Sequence, residues 1–350
     1  MMITRKHLFV FAVLLLMVAT GCSLGGNSTS EESANTPVAV AAPTTSAPTE
    51  EIQSPPEPTP LPPTEVPAPT DSPQELPEQP QVDLSPCTEE VCVENGSFLL
   101  ARPIAPSGRN TIDPSYRFGD YRQSTQLTHR GVDFLNSTGT PVVAAADGVV
   151  VVAGDDLNFP YGPWKDYYGN LVILEHNLPG LSDPVFTLYS QLSEVQVEEG
   201  DSVAAGQEIA LVGMSGVVPG STLHFEVRVG ENSYLEARNP ELWLQLLSDE
   251  RDQSLGALAG RVVDDQGNYE PVENIVIEQL AGQGLPAIDQ FYLTTYEKKE
   301  LRGQSPWNES FTLSDLPPGE YQITFMLNGL QQREVEVEPG KLTLVTFVIE

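Results

Sequence analysis

Two short segments, far apart in the chain, carry residues whose types and spacing could do chemistry. In Thr128-His129-Arg130-Gly131-Val132-Asp133 an imidazole and a carboxylate stand four residues apart. Even spacing in an extended chain puts both on one face, where a ring nitrogen and a carboxylate oxygen can share a metal. In Ser221-Thr222-Leu223-His224-Phe225-Glu226-Val227, Thr222 and His224 share one strand face, with Val227 and Val229 on the other. A His129, Asp133, His224 set with one position left open to water suits a single catalytic zinc ion, because water there ionises near neutrality. The chain has only four histidines and three cysteines, so such a site uses much of its ligand stock. His176, closing Ile173-Leu174-Glu175-His176, is a spare imidazole that reads either as a base or substrate contact or as a rim residue capping backbone groups. Glu226 shares a face with His224 and reads either as the carboxylate that orients a ligand imidazole or as half of a surface ion pair with Arg228.

The elements that must position these residues are mostly strands. Runs at Gly131–Leu135, Pro141–Ala153, Asn170–His176, Val185–Tyr189, Glu208–Gly213 and Thr222–Val229 are bounded by Gly, Pro, Asn and Asp. A helical period shows only at Pro240–Leu247. The insert Asp155–Tyr168 carries Phe159, Tyr161, Trp164, Tyr167 and Tyr168, which either line a glycan-contacting wall or pack the loop on the sheet. From Leu255 to Glu350, seven further β-like runs over about a hundred residues predict a β-sandwich.

His-Arg-Gly-Val-Asp-Phe, Gly139-Thr140-Pro141-Val142, Ala146-Asp147-Gly148-Val149-Val150, Tyr168-Gly169-Asn170-Leu171-Val172-Ile173, Val197–Ile209 and Leu223-His224-Phe225-Glu226 occur in that order. Together they resemble the lysostaphin-type, LytM-like zinc endopeptidases that cut peptidoglycan cross-links, over Tyr116 to Trp243. The resemblance implies an antiparallel β fold with a groove floored by one sheet, and one zinc held at His129, Asp133 and His224. It fails where protons should move. The family carries a histidine in a Tyr-x-His-Leu segment and another as the first His of His-x-His, whereas this chain has Tyr189-Ser190-Gln191-Leu192 and Thr222-Leu223-His224. Gln191 and Thr222 do not titrate near neutral pH, although both can hydrogen-bond. The implied function is a cell-wall-binding or hydrolase-regulating protein, catalytically weakened or inactive, with peptidoglycan and a cell-wall hydrolase as partners. The alternative is an active zinc endopeptidase. The Val-x-x-Gly-Asp stretch also resembles biotinyl and lipoyl carriers, but the corresponding Gly213-Met214-Ser215-Gly216 has no lysine to modify. Gly260-Arg261-Val262-Val263-Asp264 with Leu316-Pro317-Pro318-Gly319 resembles carboxypeptidase-regulatory-like and transthyretin-like domains.

The rest of the chain places these two β regions outside the cell. Seventeen Lys and Arg against 49 Asp and Glu give a formal charge of -32, which repels phosphate backbones and excludes nucleic acid as a partner. Arg5 and Lys6 precede a short apolar run and Ala19-Thr20-Gly21-Cys22. This resembles a bacterial lipoprotein signal in which Cys22 takes the lipid, with Ala19 where Leu is usual; an ordinary secretory signal cleaved nearby is the other reading. Fifteen prolines in the sixty residues from Asn27 to Pro86, with no Lys or Arg, cannot bury a core. Cys87 and Cys92 form a disulfide in an oxidising compartment, or are two free thiols. The expected organisation is therefore a signal and lipobox at 1–22, a disordered stalk at 23–94, a metal domain at 95–248 and a sandwich at 255–350. A lipid anchor would hold it to the outer face of a bacterial membrane.

Overall fold

A computed structural model describes residues 86–122, 127–282, 285–296 and 301–350. The signal-like segment, Cys22 and the proline-rich run up to residue 85 lie outside the described residues. Among the described residues there are strands, loops and two 3-10 turns, and no α-helix, so the all-β expectation holds. The helical period at Pro240–Leu247 is realised only as the turn Pro240–Leu242. Beyond it the chain turns away to bridge Leu244 to Leu100.

Nine strands make the sheet that carries the chemistry. Its main path runs Ala237–Arg238, Thr222–Val229, Val185–Val195, Asn170–His176, Gly148–Asp155, Ser202–Val203. Glu208–Val212 pairs with Val185–Val195 and with Pro141–Val143, and Val132–Leu135 pairs with the first half of Thr222–Val229. Two of the expected runs change. Pro141–Ala153 breaks into two strands at Ala144–Asp147, and Val185–Tyr189 continues to Val195 through polar residues that still pair.

Alternation decides what each face of this sheet does. Leu223, Phe225 and Val227 face a core that also holds Val172, Leu174, Val185 and Tyr189. The intervening residues face the other way, and register aligns them: His224 lies opposite Asp133 on one side and Ser190 on the other. By the same register His176 sits opposite Val185, on the face that holds the apolar core.

The C-terminal residues form two four-stranded sheets. One has the order Asp289–Leu293, Ile275–Gln279, Gly319–Met326, Leu330–Val337. In the other, Gly256–Asp264 runs parallel to Leu342–Ile349 and antiparallel to Phe311–Leu316. Its outer edge is Val91–Glu94, with Val91 opposite Val345 and Glu94 opposite Leu342. This corrects the stalk boundary: the last residues of the segment expected to be disordered are a paired strand. Their backbone groups are satisfied by the sandwich edge, which local composition cannot reveal. A disulfide joins Cys87, just before that strand, to Cys92 within it.

The two β regions share one core, since Ala257, Ala259, Leu342 and Leu344 cluster with Leu100, Trp243 and Leu244. Charged clamps flank that contact. Arg102 Nη2 donates to both Asp315 carboxylate oxygens, at 2.7 and 2.8 Å. Glu241 receives Arg117 at 2.9 Å together with the amide and hydroxyl of Ser314.

Candidate metal centre

The centre is built on the non-core face of Thr222–Val229. His224, Glu226 and Arg228 project from it in alternation, and all three are buried. The cover is the insert after Gly148–Asp155, which Asp156 organises from within: its carboxylate accepts from the amides of Tyr167, Tyr168 and Gly169 at 2.9–3.0 Å. His129 and Asp133 do not lie on one continuous strand, because pairing lapses at His129–Gly131 before Val132–Leu135 begins. Gly131 passes directly beneath the His224 ring. A Cβ there would meet the Phe225 carbonyl oxygen at 2.4 Å and His224 Cε1 at 2.8 Å, so the crossing requires glycine.

Three donor atoms converge. Asp133 Oδ1 lies 2.9 Å from His224 Nδ1 and 3.3 Å from His129 Nε2, and the two ring nitrogens are 3.1 Å apart. A tetrahedral zinc with ligands at about 2.0–2.2 Å spaces its donors roughly 3.3–3.6 Å apart. The three atoms therefore fit such an ion with shifts of a few tenths of an ångström. The outer nitrogens are anchored: His129 Nδ1 is 3.1 Å from the Arg117 carbonyl oxygen, to which it donates, and His224 Nε2 is 3.1 Å from Glu226 Oε1. Each imidazole thus presents its other nitrogen to the centre. Tyr116 stacks on His129 with ring centroids 4.0 Å apart.

The electrostatics follow from this crowding. Burial alone would raise the Asp133 carboxyl, but the neighbouring His129 and His224 hold it well below the usual carboxylate range. Burial would lower His224, yet its bonds to Asp133 and Glu226 and their charges raise it to about 9. Glu226, which burial alone would raise, is brought to about 2 by the Arg228 guanidinium and by His224.

Behind His224 lies a closed polar network. Glu226 Oε1 also accepts a short hydrogen bond from the Tyr168 hydroxyl, and Oε2 accepts from Arg228 Nε at 2.9 Å and Nη2 at 2.8 Å. Arg228 donates further to Asn232 Oδ1 and to the Tyr161 carbonyl. Glu226 thus bonds both His224 and Arg228, and the pair with Arg228 is not a surface one, since Arg228 is fully buried. Sequence reasoning did not single out Tyr168 or Arg228 as site residues. The available signal was three polar residues alternating with Leu223, Phe225 and Val227, a pattern that reads as a solvent face unless a cover is foreseen.

The remaining candidates are placed differently. Gln191 is the extra residue of a β-bulge, with φ of 66°, between Leu171 opposite Ser190 and Asn170 opposite Leu192. Its side chain lines the cavity over the three donors, and its Oε1 has no hydrogen-bond partner among the described residues. The Thr222 hydroxyl donates to the Phe134 carbonyl at 3.1 Å and is not among the groups lining that cavity. His176 is excluded as a base for the centre. It is fully buried on the opposite face of the sheet, with Nδ1 donating to the Asp147 carbonyl at 2.9 Å and Nε2 bonded to Thr187 Oγ1 at 2.7 Å. Among the insert's aromatics, Tyr168 packs and bonds beneath the loop, while Phe159 and Trp164 are exposed. The cavity itself is small, about 30 Å³, and is lined beyond the donors by Tyr116, Tyr167, Gln191, Val217, Val218 and Pro219.

A family model described as peptidase family M23 matches residues 127–236, which contain the three converging residues, Gln191, Thr222 and the network behind His224. Peptidoglycan DD-endopeptidase ShyA of Vibrio cholerae is 39% identical over 101 residues, covering 29% of this chain and 20% of the relative. Murein hydrolase activator NlpD of Escherichia coli is 37% identical over 100 residues, covering 29% and 23%. The catalytic domain of the antimicrobial peptidase lysostaphin from Staphylococcus simulans is 35% identical, covering 36% of this chain and 86% of that one, with a TM-score of 0.31. The chain thus spans only a fifth to a quarter of the two curated relatives.

Proposed function

Residues 127–236 match peptidase family M23, and from that match we propose that the chain is a surface lipoprotein whose metal domain is directed at peptidoglycan but cuts it slowly or not at all. In this reading Cys22 carries the anchor to the outer face of a bacterial membrane, the proline-rich run is a spacer, and the protein binds the wall or regulates a hydrolase. His129, Asp133 and His224 would hold one zinc, and their spacing supports that assignment. Such an ion supplies Lewis-acid polarisation of a carbonyl and lowers the pKa of water.

One observation carries the loss of activity. Among the described residues lining the cavity, those other than the three ligands are two phenols, an amide, two valines and a proline. None is an imidazole or a carboxylate, and burial pushes the Tyr167 phenol above its ordinary value. Loss of one positioned acid-base group typically costs about 10² to 10⁴ in rate. The relatives include both a hydrolase and a hydrolase activator by name, so either role has precedent in the family. The second reading, an active endopeptidase, is favoured by the complete His-Asp-His set. Digestion of purified sacculi by the full-length protein separates the two. Peptide release abolished by chelator and by Asp133→Ala would sink the inactive reading, whereas sacculus binding without release is the expected result.

A further inference from the structure

Tyr116, whose ring stacks on His129 with centroids 4.0 Å apart, lines both the metal cavity and a separate cleft of about 750 Å³. Thr128, next to His129 in the chain, lines that cleft as well. The two spaces therefore meet at one aromatic ring. The rest of the cleft's lining comes largely from the C-terminal sandwich, through residues that include Tyr269, Glu273 and Thr294. Clefts of this size between two structural regions are common ligand sites.

The sandwich side is braced from behind. The Tyr269 hydroxyl bonds the Tyr296 carbonyl, Thr295 Oγ1 accepts from the Val272 amide at 2.9 Å, and the Thr295 amide donates to the Val272 carbonyl at 3.0 Å. In front of that brace the side chains of Glu273 and Thr294 are exposed and make no hydrogen bond or ion pair with a described residue. On the metal side, Asp120 Oδ2 accepts from the Arg117 amide at 2.7 Å, while its Oδ1 is neither paired with a described residue nor sealed from solvent. Both carboxylates are thus open to a ligand. No Lys or Arg is among the described residues that line the cleft. On a chain with 49 acidic residues two carboxylates alone mean little. Here they line one concave space, whose low-dielectric walls concentrate their field on whatever enters. That field repels an anion and draws a cation, and the Thr294 hydroxyl, which both donates and accepts, suits amide groups beside it.

We propose that the sandwich completes the substrate site: the cleft takes a peptide segment carrying a free primary amine, drawn by Asp120 from the metal region and by Glu273 from the sandwich. The choice of a peptide rests on the wall-directed reading, since the cleft meets the metal cavity at Tyr116; the preference for an amine does not. The test is a saturation-transfer NMR titration of the full-length protein with one blocked tripeptide, acetyl-Ala-Lys-Ala amide, its side-chain amine left free, acetylated or succinylated to make it positive, neutral or negative. The free amine is expected to bind about tenfold tighter than the acetylated form, the difference one charged hydrogen-bonded contact makes, and the succinylated form weakest. Glu273→Gln should shrink that preference several-fold and Thr294→Arg should abolish it; both positions are exposed, so the fold is kept. Equal binding of the free and acetylated forms, binding of none, or an undiminished preference in Thr294→Arg would overturn the proposal. Sacculus binding by the same proteins separates the two readings. A wild type that binds sacculi without an amine preference loses the cleft and keeps the wall-directed function, whereas an amine preference without sacculus binding keeps the cleft and sinks that function.

Discussion

His176 and His224 are two buried histidines of one sheet, on opposite faces, and their chemistry diverges completely. His224 sits between two carboxylates, Asp133 and Glu226, and is held to about 9. His176 sits between a carbonyl and a hydroxyl, and burial pushes it below its ordinary value. Burial is common to both, so the partners decide. A carboxylate returns the energy that dehydration takes from an imidazolium, and a neutral dipole does not. One histidine therefore becomes a potential ligand in an anionic cluster, while the other is a neutral fastener inside the core.

The comparison can be broken by substitution on either face. The largest expected effect is on metal: His224→Ala leaves two protein ligands and should lose tight zinc, whereas His176→Gln should keep the full stoichiometry, both read by elemental analysis after dialysis. A zinc-replete His224→Ala protein would remove the assignment. Next in size is the return of imidazoles to the site face. If each contributes about 10² to 10⁴, the Gln191→His, Thr222→His double variant should gain muropeptide release far beyond either single variant, since groups acting as a unit are not additive.

Arg228→Met tests the support behind His224. It strands Glu226 in the interior and should cost about 3–5 kcal/mol in chemical denaturation. Adding Glu226→Gln to it should recover part of that loss, whereas a simple packing role for Arg228 would show no recovery. The smallest effect belongs to His176. Its folded pKa is depressed, so the unfolded chain binds the proton first, and stability should fall as pH drops below about 6.5. His176→Gln should lose less stability between pH 7.5 and 5.5 than the wild type does; an identical slope would show that His176 is not the group being charged.

Much of the fold was legible because alternation and turn residues are local. Asn170–His176 and Thr222–Val229 emerge with the bounds their composition marks. What escaped depends on distant chain. Val91–Glu94 has nothing in its own sequence that announces Leu342–Val345 as its partner. The extension of Val185–Tyr189 through Ser190 and Gln191 was hidden because those residues serve the polar face instead of a core. In the site, residue types and order pointed to His129, Asp133 and His224, but the even-spacing argument assumed a continuous strand that the crossing at Gly131 interrupts. Whether His176 faced the centre or the core was a question of sheet face, and that required pairing register.

The edge strand Val91–Glu94 also sets a schedule for synthesis. Its partner Leu342–Ile349 lies far downstream in the sequence, so the sheet it completes cannot close until that strand has been made. Ala257, Leu342 and Leu344 belong to the same core as Leu100 and Trp243, which leaves the earlier-made metal region with an uncovered apolar flank until then. Such distant pairings slow folding and lengthen the exposure of that flank.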